Sequence, residues 1–133
     1  MKLNPYLAFK GNCEEAMNFY KENLQGTIES VQYFKDGDMD VPENMKDQVM
    51  HLEMHFGGNI LMASDGFEGE IANSNITLAI AMEDVSEMEQ VFHKMAEGGK
   101  ITMPLENTFW GARFGMLTDK FGTKWMFNCE LKK

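Results

Sequence analysis

The stretch WGARFGMLTDKFGTKWMFN, residues 110–128, contains two short apolar runs on either side of Phe121 and Gly122. Glycine at a turn between alternating apolar residues is typical of a β-hairpin, so we predict two strands here. A similar stretch, VMHLEMHFGGNILMAS at residues 49–64, contains Gly57 and Gly58 at its centre. Two similar hairpins in a chain of 133 residues indicate an internally repeated fold.

The segments that precede the two hairpins match each other at a constant offset of 72 residues. In each segment, capping-box spacing is followed by apolar residues at three- and four-residue steps and then by a glycine. This pattern predicts a capped helix with one apolar face and a left-handed end. The matched pairs are Asn12 and Asp84, Glu15 and Glu87, Ala16 and Met88, Tyr20 and Phe92, and Gly26 and Gly98.

Predicted strands flank both helices, at residues 3–10, 28–34, 76–82 and 101–105. We therefore predict an α+β fold of two β-α-β-β-β modules, with module one at residues 1–66, a linker at 67–74 and module two at 75–133. Each module alone would bury little surface, so the two are expected to pack together, in one chain or across a dimer. A small α+β domain without duplication is the alternative. The polar stretch 35–47 is predicted to be a loop long enough to act as a lid.

Composition excludes several classes of partner. The formal net charge is −9, and the 12 basic residues are scattered, whereas nucleic-acid binding needs clustered cations. We therefore predict no nucleic acid and no membrane as partners. No apolar run approaches the ~18 residues of a membrane-spanning helix, and the first residues lack the pattern of a signal peptide. The predicted location is cytoplasmic, with Cys13 and Cys129 reduced and buried.

Three segments resemble a known family: PYLAFKGNCEEAMNFY at 5–20, HLEMHFGGNILMASD at 51–65, and FWGARFGMLTDKFGTKWMFN at 109–128. They are similar to the PhnB-like branch of the vicinal oxygen chelate superfamily, which includes glyoxalase I, extradiol dioxygenases and bleomycin-resistance proteins. The resemblance covers essentially the whole chain. It implies eight strands that form a half-open cup around a ligand site (the glyoxalase/bleomycin-resistance fold), and a homodimer, often with elements exchanged between subunits.

Metal-dependent members of this superfamily take their ligands from the first and last strands of each module. Thioether and amide side chains, which bind hard or borderline divalent ions poorly, occupy much of that region here. We therefore predict no metal there and no cofactor, with a divalent metal recruited elsewhere as the alternative. The corresponding residues are Asn4 or Pro5, Met62, Asn75 or Ile76, and Met126.

Three polar residues, His51, Glu53 and His55, alternate with apolar residues in the first hairpin. Alternate residues share one face of a strand, so these side chains are expected to line the cup while their neighbours pack on the helix. A histidine beside a carboxylate suits acid–base catalysis, and we assign His51 and Glu53 as candidate catalytic residues and His55 as a ligand-binding residue. A solvated strand face or a dimer contact is the structural alternative.

Arg113 is the only arginine of the chain, and it lies in the region of module two that we match to His51. With Trp110 beside it, its guanidinium could hold an anionic or planar ligand, so both are candidate ligand-binding residues. The alternative for Arg113 is an ion pair with an acidic residue.

These residues predict a small-molecule-binding protein whose usual metal site is lost and whose physiological substrate the sequence does not identify. One alternative is a lyase, isomerase or dioxygenase that uses His51 and Glu53 as acid and base or as metal ligands. Another is a resistance protein that sequesters a drug. PhnB-like proteins have often carried a methyltransferase label, but the sequence has no G-x-G-x-x-G loop for such a cofactor.

Overall fold

The computed structural model describes residues 1–37, 40–68 and 75–131. The chain divides into two units, Met1–Gly69 and Glu70–Lys133. Each unit contains one four-stranded sheet and one α-helix, which confirms the predicted fold class. Residues 69–74 of the predicted linker and residues 38 and 39 of the predicted lid lie outside the described part of the chain.

The described residues of the first unit form five main elements and two short 3-10 turns. In chain order the main elements are β1 (Tyr6–Ala8), α1 (Cys13–Asn23), β2 (Thr27–Tyr33), β3 (Val49–Phe56) and β4 (Asn59–Ser64). The 3-10 turns are Phe34–Asp36 and Glu43–Met45, in the segment between β2 and β3. A lid role for that segment stays a prediction.

The second unit repeats the order of the first. Its elements are β5 (Leu78–Met82), α2 (Val85–Met95), β6 (Lys100–Asn107), β7 (Ala112–Thr118) and β8 (Lys124–Glu130). The sheets have the strand orders β1-β4-β3-β2 and β5-β8-β7-β6. In both, the first strand is parallel to the last strand, and the remaining pairs are antiparallel.

The helices begin and end at residues that are 72 positions apart, as the repeat predicts. Ala16 and Tyr20 of α1 and Met88 and Phe92 of α2 are fully buried. Burial of large apolar side chains is the main favourable term in folding, so these helix faces hold each helix on its sheet. Phe121, beside the turn glycine of the second hairpin, is also buried.

The ends of the helices differ from the prediction in the first unit. The side chain of Asp84 accepts hydrogen bonds from the backbone N–H groups of Ser86 and Glu87, as a helix cap does. Asn12 occupies the same position before α1 but makes no side-chain cap. The predicted capping box at Asn12 is therefore wrong, because a carboxylate from a distant residue bonds the start of α1 instead, as described below.

Gly26 was predicted to be the left-handed end of α1, and this is also wrong. The residue with positive φ is Gln25, at 55°. Glycine at position 26 relieves crowding instead, since a Cβ there would lie 3.0 Å from the carbonyl oxygen of His55 and 3.2 Å from the sulfur of Met54. In the second unit Gly98 has a φ of 74°, as predicted.

Candidate functional site

Strand β3 has one apolar face and one polar face. Leu52 and Met54 are fully buried on the side that packs on α1, whereas His51, Glu53 and His55 are partly exposed. We use the term distal face for the side of each sheet that is turned away from its own helix. Period-two alternation therefore places all three polar side chains on the distal face of the first sheet.

A row of side chains crosses this distal face through Glu53. Tyr6 is paired with Met62, Met62 with Glu53, and Glu53 with Ser30. Directly opposed residues of neighbouring strands have Cβ atoms about 5 Å apart, so their side chains are in reach of each other. Met62, at one of the positions where chelating relatives carry a ligand, thus lies between a tyrosine and a carboxylate.

His51 has a partner that the sequence did not suggest. The hydroxyl oxygen of Tyr6 lies 3.2 Å from Nδ1 of His51, and the two ring centroids are 5.8 Å apart. Tyr6 is half exposed, so the pair is accessible from solvent. The alternation of side chains along β1 could have indicated that the ring of Tyr6 lies on the distal face. Nothing in the sequence specified that β1 pairs with β4.

The carboxylate of Glu53 is paired with His55. Nε2 of His55 lies 2.9 Å from Oε2 of Glu53, and the two side chains are 39% and 32% exposed. The sequence predicted His51 and Glu53 as the acid–base pair, although both histidines are two residues away from Glu53 and the alternation does not distinguish between them. The structure instead gives two pairs on one face, His51 with Tyr6 and His55 with Glu53.

A buried carboxylate, that of Asp65, forms hydrogen bonds with the start of this strand. Oδ1 of Asp65 accepts hydrogen bonds from the N–H groups of Gly11 and Cys13, at 2.7 and 3.0 Å, and Oδ2 accepts one from Val49, at 2.9 Å. Asp65 is 5% exposed. It therefore joins the start of α1 to the start of β3, two residues before His51, and replaces the missing side-chain cap of α1.

The thiol of Cys13 lies beside this carboxylate. Burial, with further contributions from the charges of Asp65 and Glu14, raises the pKa of Cys13 from 9.0 to about 12. A thiol with such a pKa is protonated at neutral pH and is a poor nucleophile. Cys13 and Cys129 are both buried and free, as predicted.

Arg113 lies on the helix side of its sheet. Nε and Nη2 lie 2.8 and 2.6 Å from Oε1 of Glu89 on α2, and Nη1 lies 3.0 Å from Oδ1 of Asn107. Gly115, two residues later, faces Phe92 of α2, which shows the same orientation. Neighbouring residues of a strand point to opposite faces, so Phe114 rather than Arg113 is on the distal face. Phe114 therefore occupies the face of its sheet that His51 occupies in the first unit. The ion-pair alternative for Arg113 is therefore realised, and its role in ligand binding stays a prediction.

Trp110 is part of an exposed aromatic group at the turn between β6 and β7. Its ring centroid is 5.1 Å from that of Phe109 and 5.9 Å from that of Phe114. Trp125, by contrast, is 1% exposed, and its indole N–H donates to Oδ2 of Asp119 at 2.8 Å. The two tryptophans of the chain thus occupy opposite environments.

An open depression of about 620 Å³ lies at the carboxyl end of the parallel pair β5 and β8 in the second unit. Its polar lining comes from Glu83, Asn128 and Glu130, and the remainder is Ala81, Met82 and Leu131. The sequence reasoning did not find this depression, because only the pairing of β5 with β8 brings these residues together.

Neither a metal cluster nor a membrane helix is present among the described residues. In residues 1–37, 40–68 and 75–131, no three His, Cys, Asp or Glu side chains are grouped so that they could hold one metal ion. No helix in this part of the chain has the length and apolar character to cross a membrane.

Two consecutive β-α-β-β-β modules with these strand orders define the chain as a protein of the vicinal oxygen chelate fold. A family model described as 3-demethylubiquinone-9 3-methyltransferase matches residues 1–127. The chain belongs to this family, the PhnB-like branch of the vicinal oxygen chelate superfamily, which confirms the resemblance seen in the sequence.

Individual relatives agree with this assignment. Protein YjdN from Escherichia coli K12 is 33% identical over 139 residues, which cover 96% of this chain and 95% of YjdN. The crystal structure of protein PA1353 from Pseudomonas aeruginosa is 41% identical, with a TM-score of 0.87 and 99% of both chains covered. A PhnB protein from Bacillus cereus, described as a putative 3-demethylubiquinone-9 3-methyltransferase, is 31% identical, with a TM-score of 0.82; 97% of this chain and 99% of that chain are covered.

Proposed function

We propose that this chain binds a small molecule on the distal face of the first sheet, at the pairs His51–Tyr6 and Glu53–His55. The observation that supports this proposal most strongly is the accessible contact of 3.2 Å between Tyr6 and His51. One imidazole nitrogen is used by Tyr6, so Nε2 of His51 is left to donate to or accept from a ligand, according to the tautomer. Met62, between the two pairs, supplies an adaptable apolar contact.

The chemistry of the available donors supports binding without a metal at the usual position. Met62 and Met126, on the distal faces of the two sheets, offer thioethers where chelating relatives offer harder donors. Mg²⁺, Mn²⁺ and Zn²⁺ prefer carboxylate, imidazole or thiolate ligands, so these residues do not fit such an ion. The ligand is therefore held by hydrogen bonds and apolar contact.

Acid–base catalysis is the second candidate function, and the contact of 2.9 Å between Glu53 and His55 favours it. A carboxylate that orients an imidazole is a common arrangement for proton transfer. In this version of the lyase or isomerase alternative, His55 transfers the proton, Glu53 orients the imidazole of His55, and His51 with Tyr6 positions the substrate. A homodimer and the sequestration of a drug stay predictions.

Methyl transfer is not part of the proposal, although the family description names it. A nucleotide-like cofactor is usually bound by a glycine-rich loop after a parallel strand. β1 is followed by a segment with the single glycine Gly11, whose N–H is bonded to Asp65. The backbone N–H of this glycine is therefore already hydrogen-bonded within the protein.

A thermal-shift screen of small organic molecules tests the binding site. For any compound that raises the melting temperature, we expect His51→Ala and Tyr6→Phe to weaken binding about tenfold, which corresponds to the loss of one hydrogen bond. The matched control is His93→Ala, because His93 is exposed on α2 of the second unit and its Nδ1 bonds a carbonyl oxygen of its own helix, that of Glu89. If all three variants respond as the unmodified protein does, the distal face of the first sheet is not the site.

The metal content of the purified protein, with melting temperatures measured with and without a chelator, tests the absence of a metal. We expect substoichiometric metal and an unchanged melting temperature. Stoichiometric metal whose removal abolishes ligand binding would contradict the metal-free site.

The acid–base candidate requires turnover that His55→Gln abolishes while binding persists.

A further inference from the structure

An exposed aromatic corner lies at the turn between β6 and β7 in the second unit. Phe109 is 98% exposed and Trp110 is 56% exposed, and Phe114 completes the group from the distal face of β7. The planes of Phe109 and Trp110 are 89° apart, and those of Trp110 and Phe114 are 68° apart. We use the term aromatic corner for these three residues. Neighbouring aromatic rings with such exposure are uncommon on a protein surface unless they contact something.

The turn that carries the aromatic corner is held by several hydrogen bonds. The backbone N–H of Thr108 donates to the carbonyl oxygen of Ala112 at 2.7 Å, and the hydroxyl of Thr108 bonds both backbone groups of Ala112. The carbonyl oxygen of Gly111 accepts from the N–H of Leu131 at 2.9 Å, which ties the turn to the end of β8. Such restraint lowers the entropy cost of binding, because the turn is already ordered.

Acidic and amide groups adjoin the aromatic corner on the same face. Phe114 is paired with Glu106 on one side and with Asn128 on the other. Asn128 also lines the depression of about 620 Å³, together with Glu83 and Glu130. Phe114 of the aromatic corner and Asn128 of the depression are thus neighbours in one cross-strand row.

The adjacent arginine does not neutralise this surface. Arg113 lies on the opposite side of β7, where its guanidinium is bonded to Glu89 and Asn107. The chain as a whole carries a formal net charge of −9. Among the described residues, the charged side chains that adjoin the aromatic corner on this face are the carboxylates of Glu106 and Glu130, which attract a cation.

We propose that the aromatic corner and the adjoining acidic depression form a binding site for an organic cation that carries an alkylated ammonium group. The negative faces of aromatic rings attract such a group, and tryptophan attracts it most strongly. The carboxylates of Glu106, Glu83 and Glu130 supply charge at longer range. All residues of this site belong to the second unit, whereas the pairs His51–Tyr6 and Glu53–His55 belong to the first.

Choline and its uncharged carbon isostere, 3,3-dimethylbutan-1-ol, are suitable probes because they differ in charge and hardly in shape. The indole N–H signals of the full ¹⁵N-labelled chain report binding directly. The chain has two tryptophans, and Trp110→Phe assigns them. At constant ionic strength, we expect choline to shift the Trp110 signal in a saturable manner and to leave the buried Trp125 signal in place. The isostere should bind at least about tenfold more weakly, because it lacks the cation.

Two variants separate the contributions of the rings and the charge. Trp110→Ala should weaken choline binding about tenfold, measured on the N–H signals of Gly111 and Ala112. Glu106→Gln should weaken it about threefold, and the charge-matched control Glu22→Gln, on α1 of the first unit, should have no effect. Circular dichroism verifies that each variant is folded.

Three results would overturn the proposal. Equal binding of choline and its isostere would show a purely apolar surface. No saturable shift with choline would show that no cation site exists. A Trp110 signal that moves with protein concentration and no longer responds to choline would identify the corner as a contact between two copies of the chain.

Discussion

Asp65→Asn replaces one oxygen atom by an NH₂ group in the buried junction between α1 and β3. In the structure, both carboxylate oxygens accept hydrogen bonds from backbone N–H groups, those of Gly11, Cys13 and Val49. An asparagine can accept through only one of its two terminal atoms. At least one N–H group must therefore face another donor in a site that is 5% exposed.

The size of the effect follows from these contacts. A hydrogen bond to a charged group contributes about 1.5–3 kcal/mol, and a buried N–H without a partner costs about 1–3 kcal/mol. The bonds that remain are also weakened, since the acceptor is now neutral. We expect the variant to destabilise the first unit by about 3 kcal/mol, which corresponds to about a 100-fold rise in the population of its opened form.

Alkylation of the two cysteines measures this opening separately in each unit. Cys13 and Cys129 are both buried, so each reacts only when its surroundings open. Peptide-resolved mass spectrometry should show Cys13 of Asp65→Asn alkylated about 100-fold faster and Cys129 changed far less. The matched control is Asp47→Asn, because the Asp47 side chain is 90% exposed in an ion pair with Lys35 and should change neither rate.

An increase in Cys13 alkylation of less than about threefold would refute the assignment of Asp65 as the group that joins α1 to β3. Equal acceleration at Cys13 and Cys129 would show that the two units open together, and the free-energy loss would then apply to the whole chain. Urea unfolding followed by circular dichroism distinguishes opening of the first unit alone from opening of both units together. Only cooperative opening of both units shifts the whole unfolding transition.

Two further predictions concern charge. Because burial raises the pKa of Cys13 from 9.0 to about 12, the folded chain holds this proton more tightly than the unfolded chain does. Its contribution to stability is complete below pH 9 and is lost as the pH rises toward 12. The free energies of unfolding from urea titrations at pH 8 and pH ~10.5 should therefore differ more in the unmodified protein than in Cys13→Ala, by about 1–2 kcal/mol, and equal differences would contradict the raised pKa. For Arg113, a double-mutant cycle of Arg113→Met and Glu89→Gln should give a coupling of about 0.5–1 kcal/mol, and a value near zero would leave the guanidinium available to a ligand.

Much of the fold was predictable because short-range patterns specify it. The apolar steps of α1 and α2 predicted their buried faces, and the glycine turns predicted both hairpins. The alternation around Glu53 predicted that the polar side chains share one face of β3. Each of these features depends on residues that are close together in the chain, where periodicity is a direct consequence of backbone geometry.

The pairings within the candidate sites were not predictable, since they join residues that are distant in sequence. Tyr6 meets His51 only because β4 lies between β1 and β3 and sets their register. Arg113 could be matched only to the region of His51, and a difference of one position is enough to place the two side chains on opposite faces of their strands. Asp65 gave no signal, because nothing local indicates that its carboxylate bonds an N–H more than 50 residues earlier.

The parallel pairing of β1 with β4 has a consequence for the order in which the first unit folds. The hairpin of β3 and β4 closes a turn of two residues, whereas β1 must close a loop of more than 50 residues to reach β4. Loop closure of this length costs entropy before the short strand returns any contact, so β1 is expected to dock last. The Tyr6–His51 pair would then form only in the final step of folding, and hydrogen exchange should find β1 the least protected strand of its sheet.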